Sequence, residues 1–283
     1  MVKVAAVQFQ GNIDKEANIK KATKLVTEAA GNGANIVCLQ ELFNMVFPAF
    51  EAKEEYFEMA ETIPGPTIDR MSKLAKKLGI ALIAPISEKV LRGKSYNTAV
   101  LLGSNGKIIG KYRKSHLPLS FVVESKSPYP NEKLYFSPGN TGFQVFPTSF
   151  GINVGIIICA DRHYPEAART LGIKGADIIF IPNASASQHT RYAWEIDVRS
   201  LAMNNLLYVV GVNRVGTDIG GSSRQWFGTS MIVNPRGEII AHAGDKNDEI
   251  IYADIDLTFI DKMRNLWGFY RDRRPDLYGE LIK

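Results

Sequence analysis

The stretch GIIICADRHYPEAAR, residues 155–169, decides how the chain is read. Gly155 to Ile158 shows no polar alternation and is rich in β-branched residues, the pattern of a strand buried on both faces. Tyr164-Pro165-Glu166 then opens a helix, since proline suits the first helical position and an acid suits the first turn. Cys159 therefore stands where a strand ends and a helix begins, at the sheet edge where ligands bind in open α/β layers. Two readings of its thiol are open. Free cysteine often behaves as a small buried hydrophobe; beside a helix N-terminus, with Arg162 and His163 nearby, it becomes a nucleophile of lowered pKa.

On either side, strands and helices alternate. Residues 2–9 are strand-like, and Ile19, Ala22, Leu25, Val26 and Ala29 share a helical face that predicts a helix over 14–30, stopped by Gly31-Asn32-Gly33. Residues 36–39 read as a second buried strand running into Gln40-Glu41. An amphipathic helix over 67–78, entered through Pro64-Gly65-Pro66 and closed by Gly79, leads to a strand over 81–86. Ser104-Asn105-Gly106 and Asn234-Pro235-Arg236-Gly237 are hairpin signals. Buried strands over 178–181 and 207–212 flank a helix over 192–204. Strands alternating with helices but interrupted by hairpins predict an α/β chain with mixed sheets and helices outside. No repeat or linker divides the sequence, so residues 1–283 are expected to form one domain.

Hydrophobic residues make up 45% and charged residues 22%, as in chains that bury a sizeable core. The net charge of +5 is spread over short clusters, without the aromatic-interleaved basic stripe of a nucleic-acid binder. Two cysteines, Cys38 and Cys159, exclude a disulfide-rich scaffold and offer no zinc spacing; nor do the four histidines signal a metal. No metal and no organic cofactor is expected. No stretch reaches bilayer length, and Met1-Val2-Lys3 runs straight into a strand, so the expected compartment is cytoplasmic, with no membrane or nucleic-acid partner.

Three strand ends carry reactive groups. Glu41 closes the second strand, Lys114 follows a strand in GKYRKSHLP (110–118), and Cys159 closes the strand quoted above. Taken singly, Glu41 reads as a cap and Lys114 as one more surface charge. Together they supply a nucleophile, a carboxylate base and a fixed cation, the set needed to attack an acyl carbon and hold its oxyanion.

LQELF around Glu41, GKYRKSHLP around Lys114 and GIIICADRHYPEAARTLGIKGADIIFIPNAS around Cys159 resemble the three signature blocks of the nitrilase, or carbon–nitrogen hydrolase, superfamily. The likeness runs from VAAVQF at the start to RDRRPDLYGEL at the end. It implies a four-layer α-β-β-α sandwich that associates as a homodimer or higher homo-oligomer. Carried over by position, Glu41 is the general base, Lys114 and the Ala160 backbone N–H hold the oxyanion, and Glu132 of NEKLYFSPGN positions Lys114; Glu124 is the competing candidate for that last role. His116 matches a histidine of the carbamoylase branch and reads either as part of this network or as a structural histidine.

The residues after the cysteine bear on the substrate, a small molecule. Arg162 resembles the N-carbamoyl-D-amino-acid hydrolases, and the Arg162-His163 pair resembles the β-ureidopropionases, as does the segment from Ala193 to Gly216. A guanidinium there clamps a substrate carboxylate through two parallel hydrogen bonds, or else pairs with Asp161 or Glu166. The expected reaction is removal of the carbamoyl group from an N-carbamoyl amino acid; the alternatives are an aliphatic amidase, an enzyme like N-carbamoylputrescine amidase, a nitrilase and, more remotely, a non-catalytic binding protein. Asn183 and the loop after it are placed to line the pocket. The tail over 266–283 reads as an oligomer contact or as a segment folded back on its own domain.

Overall fold

The computed structural model describes residues 1–118, 131–186 and 188–282. The first half of the chain contains β1 (Val2–Gln8), α1 (Lys15–Gly31), β2 (Ile36–Leu39), α2 (Glu55–Glu58), α3 (Pro66–Leu78), β3 (Ala81–Leu91), β4 (Lys94–Leu102) and β5 (Ile108–Arg113). The second contains β6 (Val145–Pro147), β7 (Asn153–Ile156), α4 (Pro165–Ile173), β8 (Ile178–Pro182), α5 (Gln188–Asn205) and β9 (Tyr208–Val212). After these come β10 (Val215–Thr217), β11 (Gln225–Phe227), β12 (Met231–Val233), β13 (Ile239–His242), β14 (Glu249–Ile255) and α6 (Leu257–Leu266).

Two six-stranded sheets result, in the orders β14-β1-β2-β3-β4-β5 and β13-β12-β9-β8-β7-β6. Each is parallel at its centre and antiparallel outside. β1, β2 and β3 run parallel because α1 and α3 carry the chain back across the sheet, and β7, β8 and β9 run parallel through α4 and α5. Hairpins supply β4, β5 and β13: Arg92-Gly93 joins β3 to β4, Asn105-Gly106 lies between β4 and β5, and the Asn234 to Gly237 turn joins β12 to β13. Since β4 opposes both β3 and β5, β5 runs with β2 and β3 and ends at the same edge of its sheet.

The layering follows from which faces are apolar. Val4, Ala6, Ile36, Cys38, Ile83 and Leu101 of the first sheet share one core with Val154, Ile156, Ile178, Phe180, Val210 and Ile232 of the second. The alternate residues of the first sheet, Ala5, Val7, Val37, Leu39 and Leu82, pack under Ile19, Ala22 and Val26 of α1 and Met71 and Ala75 of α3. On the far side Ala168 and Leu171 of α4 and Trp194, Val198 and Leu201 of α5 cover the second sheet. This is the α-β-β-α sandwich, and it explains why the central strands read as unbroken apolar runs: both faces of each are buried.

Helix ends follow their local chemistry. Asp14 caps α1 through its side chain, accepting from the Glu16 N–H at 2.9 Å, and α3 stops at Gly79, whose φ of +66° is left-handed. The strand expected over 155–158 leaves its sheet earlier, at Ile156, and Cys159 begins a short 3-10 turn, Cys159–His163, before α4. None of the described helices is long and apolar enough to cross a membrane. In the tail, Tyr270 folds back to donate to the Asn205 carbonyl at 2.6 Å, while Leu277, Leu281 and Ile282 stay exposed.

Candidate active site

Glu41, Lys114 and Cys159 lie immediately beyond the ends of β2, β5 and β7, and the face-to-face packing of the sheets brings these edges together. The Lys114 Nζ sits 3.0 Å from Glu41 Oε1 and 2.6 and 2.7 Å from the two oxygens of Glu132. Ligand atoms of Glu41, Glu132 and Cys159 all lie within 4.8 Å of one another, and all three residues are buried. The four sequence-derived candidates thus form one cluster. Glu124 lies outside the described residues, and the geometry places Glu132 on the lysine.

Local sequence sets these positions. Glu132 begins a 3-10 turn (Glu132–Leu134), and the chain then passes directly over the Lys114 backbone, where Gly139 donates its N–H to the Lys114 carbonyl at 2.8 Å. A Cβ at Gly139 would lie 2.1 Å from the Arg113 carbonyl oxygen, so only glycine permits this approach. Cys159 holds φ at +49° and Leu42, next to Glu41, at +50°. Left-handed backbone in residues with a Cβ is sparsely populated and is kept only where the surroundings impose it.

For Glu41, the surroundings include Arg214, which the sequence reading passed over. It is fully buried beyond β9, donates to the carbonyls of Glu41 (3.1 Å), Leu42 (2.5 Å) and Met45 (2.5 Å), and pairs with both oxygens of Asp218 at 2.9 and 3.0 Å. Asp218 in turn accepts from the Phe47 N–H at 3.1 Å. Asn97 of β4 donates to Glu41 Oε1 at 2.7 Å, which leaves Oε2 as a buried oxygen with no hydrogen-bond partner among the described residues.

For Cys159, the surroundings include Asp161. Its buried carboxylate accepts from Tyr112 Oη (2.7 Å), the Ile158 N–H (3.0 Å) and the His116 N–H (2.9 Å), with His116 Nδ1 at 2.7 Å. The His116 ring also stacks on Tyr164 at 3.6 Å between centroids. His116 is therefore tied to the turn that carries the cysteine, and through Tyr112 that turn is tied to the strand that carries Lys114.

Arg162 is buried and pairs with neither Asp161 nor Glu166. Its Nε donates to Asp197 of α5 at 3.1 Å, and one terminal nitrogen lies 3.2 Å from Asn183 Oδ1 and 3.9 Å from Cys159 Sγ. His163 is half-exposed and places Nδ1 2.9 Å from the same Asp197 oxygen. Asn183, at the end of β8, donates to Asn213 Oδ1 at 2.9 Å. Ala160 is the second residue of the 3-10 turn, so its N–H precedes the first carbonyl the turn can offer it. Asn97, Asp197, Asn213, Arg214 and Asp218 were all missed. The one available signal was position: Asn213 and Arg214 follow β9 as Asn183 follows β8, at the edge where ligands bind.

The electrostatics correct one expectation. The thiol does not have a lowered pKa: burial and the Glu41 charge push Cys159 up to about 11, against the opposing effects of Lys114 and Arg162. At neutral pH it is a thiol that needs a base. Burial also pushes Glu132 up to about 7, with Lys114 opposing and Glu41 adding to the rise. Burial works against the Lys114 ammonium, yet the Cys159, Glu132 and Glu41 charges outweigh it and hold its pKa above the ordinary value. By distance alone the two glutamates and the cysteine would suit a metal ion. The ammonium already lies on both carboxylates, however, so a divalent ion would meet a fixed positive charge there.

The carbon–nitrogen hydrolase family pattern matches residues 3–265. The chain belongs to the carbon–nitrogen hydrolase family. Its structure is similar to that of a carbon–nitrogen hydrolase from Helicobacter pylori G27, with a TM-score of 0.92 and 33% identity over 100% of this chain and 98% of that one. Its sequence is 39% identical to an N-carbamoylputrescine amidase of Solanum lycopersicum, over 100% of this chain and 95% of the relative. It is 32% identical to a β-ureidopropionase of Arabidopsis thaliana, over 95% of this chain and 68% of the relative. With the family comes the reaction class: this carbon–nitrogen hydrolase is an enzyme of small amide-type substrates.

Proposed function

We propose that this carbon–nitrogen hydrolase cleaves the carbamoyl group of an N-carbamoyl compound through a thioester on Cys159. The observation that carries the reading is the unpartnered, buried Glu41 Oε2 in a cluster where one ammonium holds two carboxylates beside a protonated thiol. Glu41 Oε2 takes the thiol proton as Sγ bonds to the carbamoyl carbon, and the carbonyl oxygen, now an oxyanion, is held by Lys114 Nζ and the Ala160 N–H. Glu41 returns the proton to the departing nitrogen, because an amide anion is too basic to leave, and ammonia departs. Glu41 then deprotonates the water that attacks the thioester, the thiol is regenerated, and the released carbamate loses CO2 to give the amine. Glu132, held by both oxygens, keeps Lys114 aimed at the oxyanion throughout.

Similarity to both an N-carbamoylputrescine amidase and a β-ureidopropionase supports a carbamoyl substrate and leaves open whether its other end is an amine or a carboxylate. The test is ammonia release from N-carbamoyl-β-alanine, N-carbamoyl-D- and L-alanine, N-carbamoylputrescine, butyramide and butyronitrile, with Cys159→Ala as the blank. Turnover concentrated in the carbamoyl compounds supports the reading; turnover confined to the amide or the nitrile overturns it.

A further inference from the structure

We propose that Asp197 selects the substrate's charge: by holding the Arg162 guanidinium it removes the anchor for a substrate carboxylate and turns the site toward carbamoyl compounds with a neutral or cationic far end. The inference rests on the hydrolase reading above and names the substrate class for that same site.

Arg162 stands at the reaction centre, 3.9 Å from Cys159 Sγ, so it is within reach of a group attached close to the scissile carbonyl. A guanidinium clamps a carboxylate by presenting two parallel N–H donors. Here Nε is engaged by Asp197 at 3.1 Å and a terminal nitrogen by Asn183 at 3.2 Å, and the guanidinium carbon lies 5.5 Å from the centroid of the Trp194 ring. His163, the other cation next to the cysteine turn, points Nδ1 at the same Asp197 oxygen at 2.9 Å. The Arg162 guanidinium that the sequence offered as a carboxylate clamp and the adjacent His163 thus face one internal carboxylate, on a helix 35 positions along the chain from Arg162. A substrate carboxylate approaching Arg162 would displace Asp197 or lie against it, and like charges brought together oppose binding. A neutral end meets no such opposition, and for an ammonium the Asp197 charge offsets the Arg162 charge it would otherwise face.

The experiment measures kcat and KM for N-carbamoyl-β-alanine, N-carbamoylputrescine and the uncharged n-propylurea. The wild-type enzyme is expected to favour the last two over N-carbamoyl-β-alanine by about tenfold or more, and Asp197→Asn to shift the ratio toward N-carbamoyl-β-alanine by about 10- to 100-fold, the range one charge-assisted hydrogen bond carries. The shift is expected mainly in KM, because the remote carboxylate is bound in the ground state as well as the transition state. Asp197→Glu, which keeps the charge, retains the wild-type order. A wild-type preference for N-carbamoyl-β-alanine overturns the proposal even if Asp197→Asn fails to fold, and so does a folded Asp197→Asn with an unchanged ratio. If neither these three compounds nor N-carbamoyl-D- or L-alanine yields ammonia above the Cys159→Ala blank, the carbamoyl reading above fails; turnover with the wrong ranking defeats only the role of Asp197.

Discussion

Replacing Arg214 by methionine separates the stability of the fold from the alignment of Glu41. Arg214 donates five hydrogen bonds, two to Asp218 and three to the carbonyls of Glu41, Leu42 and Met45. Among the described residues, Arg214→Met leaves the buried Asp218 charge with the Phe47 N–H alone. Breaking one side of a buried pair costs about 3–5 kcal/mol. Adding Asp218→Asn removes the orphan charge while keeping an acceptor for Phe47, and is expected to recover about 1–3 kcal/mol of that loss, the penalty for an unsatisfied buried group. Activity is expected to behave differently. In both variants the left-handed turn at Leu42 has lost the guanidinium that holds it, and with Glu41 in its proposed role as the base, kcat is expected to fall about 100-fold, within the range a positioned base contributes. Urea unfolding and single-turnover ammonia release measure the two effects separately. Recovery of kcat in parallel with stability in the double variant would refute the claim that Arg214 aligns the base.

Two further outcomes follow from the electrostatics. Because Glu132 is pushed up to about 7 from the ordinary 4.5, the folded protein binds more protons than the unfolded chain between those values, and stability falls as pH rises through that window. Glu132→Gln is expected to flatten this part of the stability profile, and an unaltered slope by urea unfolding would place the titration elsewhere. Burial and the Glu41 charge push the Cys159 pKa up while Lys114 and Arg162 oppose the rise, so Arg162→Met is expected to move the pH midpoint of iodoacetamide alkylation further upward; a midpoint that stays or falls rules out a direct electrostatic effect of Arg162 on the thiol.

What the sequence determined by itself was everything carried by near neighbours along the chain. The β-branched run before Cys159, the glycine stop at Gly79 and the hairpin at Asn105-Gly106 are local choices of backbone conformation, and each reads directly from residue type. Glu41, Lys114, Glu132 and Cys159 could also be nominated from the sequence, because they follow strand ends or sit in motifs matching the family, and the fold brings these four into one cluster. Their chemical state was not legible in the sequence. The thiol looked activated from its neighbours in sequence, yet burial under two sheets raises its pKa to about 11, and burial is a property of packing. Arg162 looked free to clamp a carboxylate or to pair with Asp161 or Glu166, yet Asp161 is engaged by Tyr112 and His116, and the partner of Arg162 comes from α5. Glu41 is aligned by Asn97 and Arg214, 56 and 173 positions away. Contacts at such separations exist only once the two sheets have packed face to face, so the tertiary structure alone decided which charges meet, which carboxylates lie beside the cysteine and which Glu41 oxygen has no partner among the described residues.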